Sequence, residues 1–397
     1  MSMLFCAQQM DDESWTGTRS NKMKRKIVNL ALLLDAKKVK RSQSAKQDVW
    51  LQPTDATTAQ NLNNESGFTA SGLPILEHLP ERFNSATEVR RWCDIPPCLK
   101  DVEPTTLLKR HGASLFPGVT FLEKPHEYWL SENVYTRLIG TPSGTENQQW
   151  NAHKFSGSVT TVASRCFSPF DAKKAIASIL GSKNYNKPDY DYYQMTDCQI
   201  SNQWLAANLL GTLLHFFIEL DCNGMASVIP NSMKEKTWRQ YLQFKSDFIS
   251  NKYVPYLTEL RVYDLDYDLA GSIDAVFVRR EEYVQAKTEN RPPKIVLIDW
   301  KRTKTLSDRS FTGEMAAPPL QAFPDANFFK YSMQLNIYKH LIEKNTKYTV
   351  EAMYLCRFHP RLAEGEYDLR PVAVYEKEVT DLLQLRKAEM TLSTRNQ

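Results

Sequence analysis

Ile295-Val296-Leu297-Ile298-Asp299-Trp300-Lys301 is a run of branched apolar residues that ends on an acid and a lysine two positions apart. Such a run, entered through Pro292-Pro293, predicts a strand over 294–300. The two-residue period of a strand sends Asp299 and Lys301 to one face. A carboxylate and an ammonium would then share one site at the end of a buried element. Two other Asp-x-Lys triplets, Asp35-Ala36-Lys37 and Asp171-Ala172-Lys173, stand in polar or helix-prone surroundings. Taken alone, the triplet at 299 also fits a surface ion pair at a strand end.

Working outward, Ala270-Gly271-Ser272-Ile273-Asp274-Ala275-Val276-Phe277 sets another acid inside an apolar strand, directly after a small Gly-Ser step. A buried carboxylate is costly unless a cation or hydrogen bonds compensate it. Strands are predicted over 257–264, 269–279 and 294–300, with a turn through Glu289-Asn290-Arg291-Pro292-Pro293 joining the last two. Pairing through that turn brings Asp274 and Asp299 together. Two close carboxylates repel, and a hard divalent cation, Mg²⁺ or Mn²⁺, is the usual resolution. Phosphodiester hydrolysis uses such an ion. Lys301 would add fixed positive charge beside the attacking water or the charge developing on phosphorus.

The helical signals fit the same site. Thr196-Asp197-Cys198-Gln199 is a capping box, apolar residues recur at Ile200, Trp204 and Leu214, and Asn223-Gly224 is a stop signal. His215 and Glu219, four apart on this helix, share a face. They are candidates for metal ligation or phosphate contact, with Gly211-Thr212 allowing close backbone approach; a lone His on an apolar helix is otherwise a core residue. A second capping box, Ser232-Met233-Lys234-Glu235, predicts a helix carrying Trp238, Leu242 and Phe248. A helix from Phe328 to Lys344 places Gln334 and Tyr338 one turn apart. They could bond a phosphate or position Lys301, or form a polar stripe on an amphipathic helix. A hairpin over 119–139, a β-prone Ser158–Val162 leading to a helix at Asp171–Leu180, strands at 350–358 and 372–379, and a closing polar helix complete the reading. The order implies a mixed α/β (α+β) fold, a central sheet flanked by helices.

The charge lies at one end. Formal net charge is +4, but residues 19–46 hold ten Lys or Arg against one acid, so the rest of the chain is acidic overall. A strongly basic body that would bind nucleic acid through bulk charge is excluded. Residues 1–70 are read as a disordered basic tail, and Lys22–Lys26 with Lys37–Arg41 as import signals or a solvated segment. The expected location is intracellular, the nucleus ahead of mitochondrion or cytoplasm. Prolines at 74, 80, 96, 97, 104 and 117 suggest a linker or small helical lead-in over 71–117. Seven scattered cysteines without a C-x-x-C pair argue for a reducing compartment and against zinc. No uninterrupted apolar run approaches a membrane span, and acids at 11–13 do not suit a targeting peptide.

In order, G-T-x-x-H at 211–215, G-S-I-D at 271–274, I-D-W-K at 298–301 and Q-x-x-x-Y at 334–338 resemble the RecB-like branch of the PD-(D/E)XK nucleases. The mitochondrial genome maintenance exonuclease and the exonucleases of phages and large DNA viruses look similar. The likeness covers residues 158–358. It implies a restriction-endonuclease-like core over 118–397. It also implies a metal held by His215, Asp274, Asp299 and the Trp300 carbonyl, Lys301 as catalytic lysine, and Gln334 and Tyr338 as the motif after it. Glu259 matches an acid common in related sequences, and Glu219 and Glu259 are both candidates for a further ligand or supporting residue. The cysteine set of cluster-bearing members is missing, so no iron–sulfur cluster is expected. Arg302 stands where a small hydroxyl residue is frequent.

DNA is the substrate implied by the resemblance, in repair, replication or recombination, with exonuclease action expected ahead of endonuclease and single-stranded character expected of the DNA. Tyrosines mixed with lysines between Lys183 and Tyr193 could stack on bases, or form an ordinary loop. Two rivals remain: a catalytically silent DNA-binding or assembly protein on the same fold, and an RNA-directed endonuclease.

Overall fold

The computed structural model describes residues 67–112, 115–123, 126–139 and 153–395. Both basic clusters, and nearly all of the segment read as a tail, lie outside the described residues.

Prolines break the opening segment into short turns and one helix, α1 (Ala86–Cys93), whose cap Ser85 accepts the Glu88 amide. Leu76, Phe83, Val89, Trp92 and Leu99 from this region all enter a large apolar core. Strands β1 (Val119–Leu122) and β2 (Glu127–Leu130) pair antiparallel, and β3 (His153–Lys154) adds to β2. The expected hairpin therefore ends at Leu130. Residues thought to extend it form α2 (Glu132–Ile139), because the Ser131 carbonyl takes the amides of Val134 and Tyr135 and starts a helical turn. Strand β4 (Gly157–Ser158) runs straight into α3 (Val159–Ser164). The β-prone Val159–Val162 is thus helical. Ser158 Oγ accepts the Thr161 amide at 3.2 Å and Val159 and Val162 are buried, which outweighs the roughly half a kcal/mol per residue that β-branching costs a helix.

Helix α4 (Ala172–Leu180) is capped by Asp171. Helix α5 (Asp197–Cys222) forms its capping box as expected, and Asn223 closes it. By length and average hydropathy α5 could cross a bilayer, a feature hidden by scanning for uninterrupted apolar runs, but half of that window is buried within the fold. The second capping box does not form: Asn231–Met233 is a tight turn and Glu235 itself caps α6 (Lys236–Phe244). Its carboxylate is held by Thr237 Oγ1 at 2.7 Å and Arg302 at 3.2 Å.

Strands β5 (Tyr253–Asp264) and β6 (Leu269–Arg279) form a long antiparallel pair. Before β7 (Lys294–Lys301) comes α7 (Arg280–Thr288), where only a turn was expected; its one buried residue, Ala286, leaves no apolar stripe to read. Next come α8 (Asn327–Asn345), β8 (Thr349–Arg357), β9 (Asp368–Pro371) and α9 (Glu376–Arg395). The strand expected at 372–379 stops at Pro371, and Glu376 and Glu378 open α9 instead, where acids suit the positive end of a helix.

The main sheet is mixed. Strand β6 is antiparallel to β5 and β7, β7 is parallel to β8, and β8 is antiparallel to β9. One face packs Val276, Leu297 and Leu355 against α3 and α8; the other packs Phe277, Ile298 and Trp300 against α5 and α6. The fold is therefore mixed α/β with helices on both faces, as the element order implied. The sheet is irregular along β6. With β5 along one edge of β6, the other edge is shared: β4 pairs Leu269 and Ala270, and β7 pairs Ala275 to Phe277. Residues 271–274 between them face a notch.

Candidate active site

Asp274 sits at the rim of that notch, one residue past the last β6–β7 pair, Ala275↔Ile298. Its Oδ2 accepts the Trp300 amide at 2.8 Å, so a side chain replaces the main-chain partner where the ladder opens. The same register sets Asp274 opposite Asp299. On the other side the pairs Thr258↔Ala275 and Leu260↔Ile273 set Glu259 opposite Asp274. Three adjacent strands thus carry three acids in one row. Glu259 adopts φ +45°, in the left-handed region, a conformation costing about 1–2 kcal/mol. Ladder pairs on either side hold it there, and Ser272 Oγ donates to its Oε2 at 2.7 Å.

From α5, His215 brings Nδ1 within 3.6 Å of Asp274 Oδ2. One ligand atom each from His215, Glu259 and Asp274 lie within 4.8 Å of one another. Gly211 was expected to admit a close backbone approach, but an added Cβ there would meet only Arg302 Cβ, at an ordinary 3.8 Å. Beside the acids the sterically constrained glycine is Gly271, where a Cβ would stand 2.8 Å from the Tyr338 ring and 2.9 Å from its hydroxyl.

Asp299 and Lys301 do share a face. Lys301 Nζ lies 2.5 Å from Asp299 Oδ2 and 4.6 Å from the centre of the Tyr331 ring. With the Asp299 side chain only 3% exposed, a surface ion pair is ruled out. Trp300 points the other way, packed among Phe244, Phe277 and Phe358, and so fixes the strand's rotation. Gln334 Nε2 donates to Asp299 Oδ1 at 3.1 Å, reaching the acid rather than the lysine. Gln334 and Tyr338 are both buried, and Gln334 braces Asp299 from within the core.

Burial lifts the carboxyls of Glu259, Asp274 and Asp299 above their usual range; Lys301 pulls the two aspartates back, while the Asp274 charge pushes Glu259 and Asp299 further up. Glu219, one turn beyond His215, is raised to about 7 by burial, with Arg261 opposing and Asp274 adding. Burial and the Lys301 charge lower His215 to about 4, which keeps its imidazole neutral and available as a ligand. Burial, followed by the Tyr128 hydroxyl and the neighbouring acids, holds Tyr338 in its protonated form.

The donor set fits a hard divalent cation. Asp299 Oδ2 is enclosed with the Lys301 ammonium as its partner, and the row of three acids has one hydrogen-bond donor on each of Glu259 and Asp274, fewer than buried carboxylates accept. Sequence reading passed over Arg261, whose charge both Glu219 and Glu259 feel, and Tyr128, which the charges of Glu259 and Asp274 affect. Arg261 lies two residues beyond Glu259 on β5, a spacing that could have marked it.

No family model and no curated protein matches this chain. Among solved structures it is similar to SSO0001, at 18% identity over 64% of this chain and 80% of that one, with a TM-score of 0.23. It is also similar to a "Putative exonuclease" from Eubacterium rectale, at 11% identity over 47% of this chain and 66% of that one, with a TM-score of 0.28. At such scores neither likeness bears on the chemistry of the site.

Proposed function

We propose that this chain is a Mg²⁺- or Mn²⁺-dependent DNA nuclease of the RecB-like PD-(D/E)XK type, acting as an exonuclease. The observation that carries the reading is the meeting of His215, Glu259 and Asp274 within ligand range, beside an enclosed Asp299 paired with Lys301. His215, Glu259 and Asp274 would hold the cation, with Asp299 beside them. Bound there, it supplies Lewis acidity toward a phosphate oxygen.

The chain's own groups do the rest. Lys301 keeps its ammonium on the acid-bearing face, where it offsets charge developing on the phosphate. Gln334 is a positioning residue that holds the Asp299 carboxylate. Tyr338, packed on the Gly271 backbone, closes the back of the notch.

The test is metal-dependent cleavage of end-labelled linear DNA and closed circular DNA, with matched single-stranded DNA and RNA as further arms. Release from ends of linear DNA alone supports an exonuclease. Cleavage of RNA alone, or no cleavage with either metal, overturns the reading and favours the RNA-directed or silent alternative respectively.

A further inference from the structure

Next to the notch, the chain segments leaving β7 and β8 carry a group of cations. The two strands are parallel, with Lys301 beside Arg357 in register. Arg302 and Lys304 on one exit therefore meet His359 and Arg361 on the other. Arg357 binds the Lys304 carbonyl, and Lys236 at the start of α6 donates to the Pro360 carbonyl at 2.7 Å. His359 registers the crowding: burial and the charges of Arg302, Arg357, Lys304 and Lys236 push its imidazole down to about 3.

These cations are not equivalent. Arg302 is committed to Glu235 at 3.2 Å and Arg357 to Asp368 at 3.1 Å. Lys304 and Arg361 share one carboxylate, Asp191, on the Tyr-rich loop between α4 and α5. Lys304 Nζ lies 3.0 Å from Asp191 Oδ2, and Arg361 pairs with Oδ1. A single acid bridges two cations through its two oxygens, which is how the two free oxygens of a phosphodiester would engage them. The group is reachable, since the Arg361 side chain is 50% exposed and that of Asp191 31%. Lys304 is three residues beyond Lys301, at most about 11 Å along the chain.

We propose that Lys304 and Arg361 form a phosphate-backbone subsite for the nucleic-acid strand that enters the notch, and that Asp191 occupies it until that strand displaces it. The proposal rests on the nuclease reading for its ligand. Displacement also frees the Tyr-rich loop at Asp191, while Tyr185 and Tyr192 stay anchored through Met195 and Trp204.

The experiment is fluorescence anisotropy of a labelled single-stranded oligonucleotide, and of its duplex, with the full chain in EDTA across a salt titration. Lys304→Gln and Arg361→Gln should each weaken binding about tenfold. Each should also reduce the log–log salt slope by about 0.7 on single strands. Asp191→Asn should act in the opposite direction and tighten binding at low salt, with circular dichroism confirming that the fold is kept. Unchanged binding by the two cation variants overturns the subsite, as does a wild type that binds neither oligonucleotide. If Asp191→Asn weakens binding alongside them, Asp191 is a loop staple and its role as occupant fails. Wild-type binding without cleavage when Mg²⁺ or Mn²⁺ is restored would sink the nuclease reading and leave the subsite standing.

Discussion

Two buried aspartates on the same sheet are treated in opposite ways. Asp264, at the end of β5, accepts the amides of Asp266 and Tyr267 at 2.9 and 3.3 Å and Asn345 Nδ2 at 2.9 Å, with Lys344 Nζ 2.7 Å away. Asp299 is as deeply buried, yet has only Gln334 on one oxygen and the Lys301 ammonium, 2.5 Å away, on the other. Burying a carboxylate costs on the order of several kcal/mol before compensation. The Asp264 corner is compensated internally, as a structural joint must be. The Asp299 corner has two partners where Asp264 has four, and the Asp274 charge beside it adds repulsion. The difference separates an acid that holds the fold from acids kept for something that binds.

That contrast can be broken most sharply by activity. Asp299→Ala or Lys301→Ala should lower Mg²⁺-dependent cleavage by about 10²–10³-fold or more, with the far-ultraviolet circular dichroism retained; wild-type turnover in either variant would remove the active-site assignment. Asp264→Ala should do the reverse, lowering the folding free energy by about 3 kcal/mol in urea titrations while cleavage per folded molecule stays unchanged. A loss of activity at full stability there would erase the distinction.

Metal should compensate only the second corner. Glu219 has its carboxyl raised from 4.5 to about 7, so the folded state holds its proton more tightly than the unfolded chain. That contribution to stability is fully present below about 4.5 and is lost as pH rises through about 7. Glu259 and Asp274, which would hold the cation, are raised in the same direction, so the melting temperature gained on adding Mn²⁺ should be small near pH 5 and larger near pH 8, read by calorimetry with and without EDTA. An equal gain at both would mean that the acids are not the binding groups. The smallest effect is expected for Gln334→Ala, about a tenfold fall in cleavage at unchanged substrate affinity; a fall as deep as that of Asp299→Ala would promote Gln334 from positioning residue to a direct role.

Much of this was legible in the sequence because it depended on period. The strand parity at Asp299 and Lys301, the capping box of α5 and the one-turn spacing of Gln334 and Tyr338 are local, and all three take the predicted form. What escaped depended on partners distant in sequence. The Val159–Val162 run reads as strand until Ser158 caps it and the core of α8 covers it. The Ser232–Glu235 box was lost because Arg302 and Thr237 claim Glu235. Glu259 was marked by the resemblance, but the left-handed backbone that brings it beside His215 and Asp274 inside a strand is nothing a periodic reading anticipates. Asp191 finds its cations across more than a hundred residues of chain.

The helix inserted between β6 and β7 has a practical consequence. The two strands that bear Asp274 and Asp299 are joined by Arg280–Thr288 and its flanking turn, with Val284 64% exposed. Five strand residues, about 17 Å, separate each acid from that junction. New chain ends or a reporter domain could therefore be engineered there while the paired strands, and the geometry they enforce at their far ends, remain continuous.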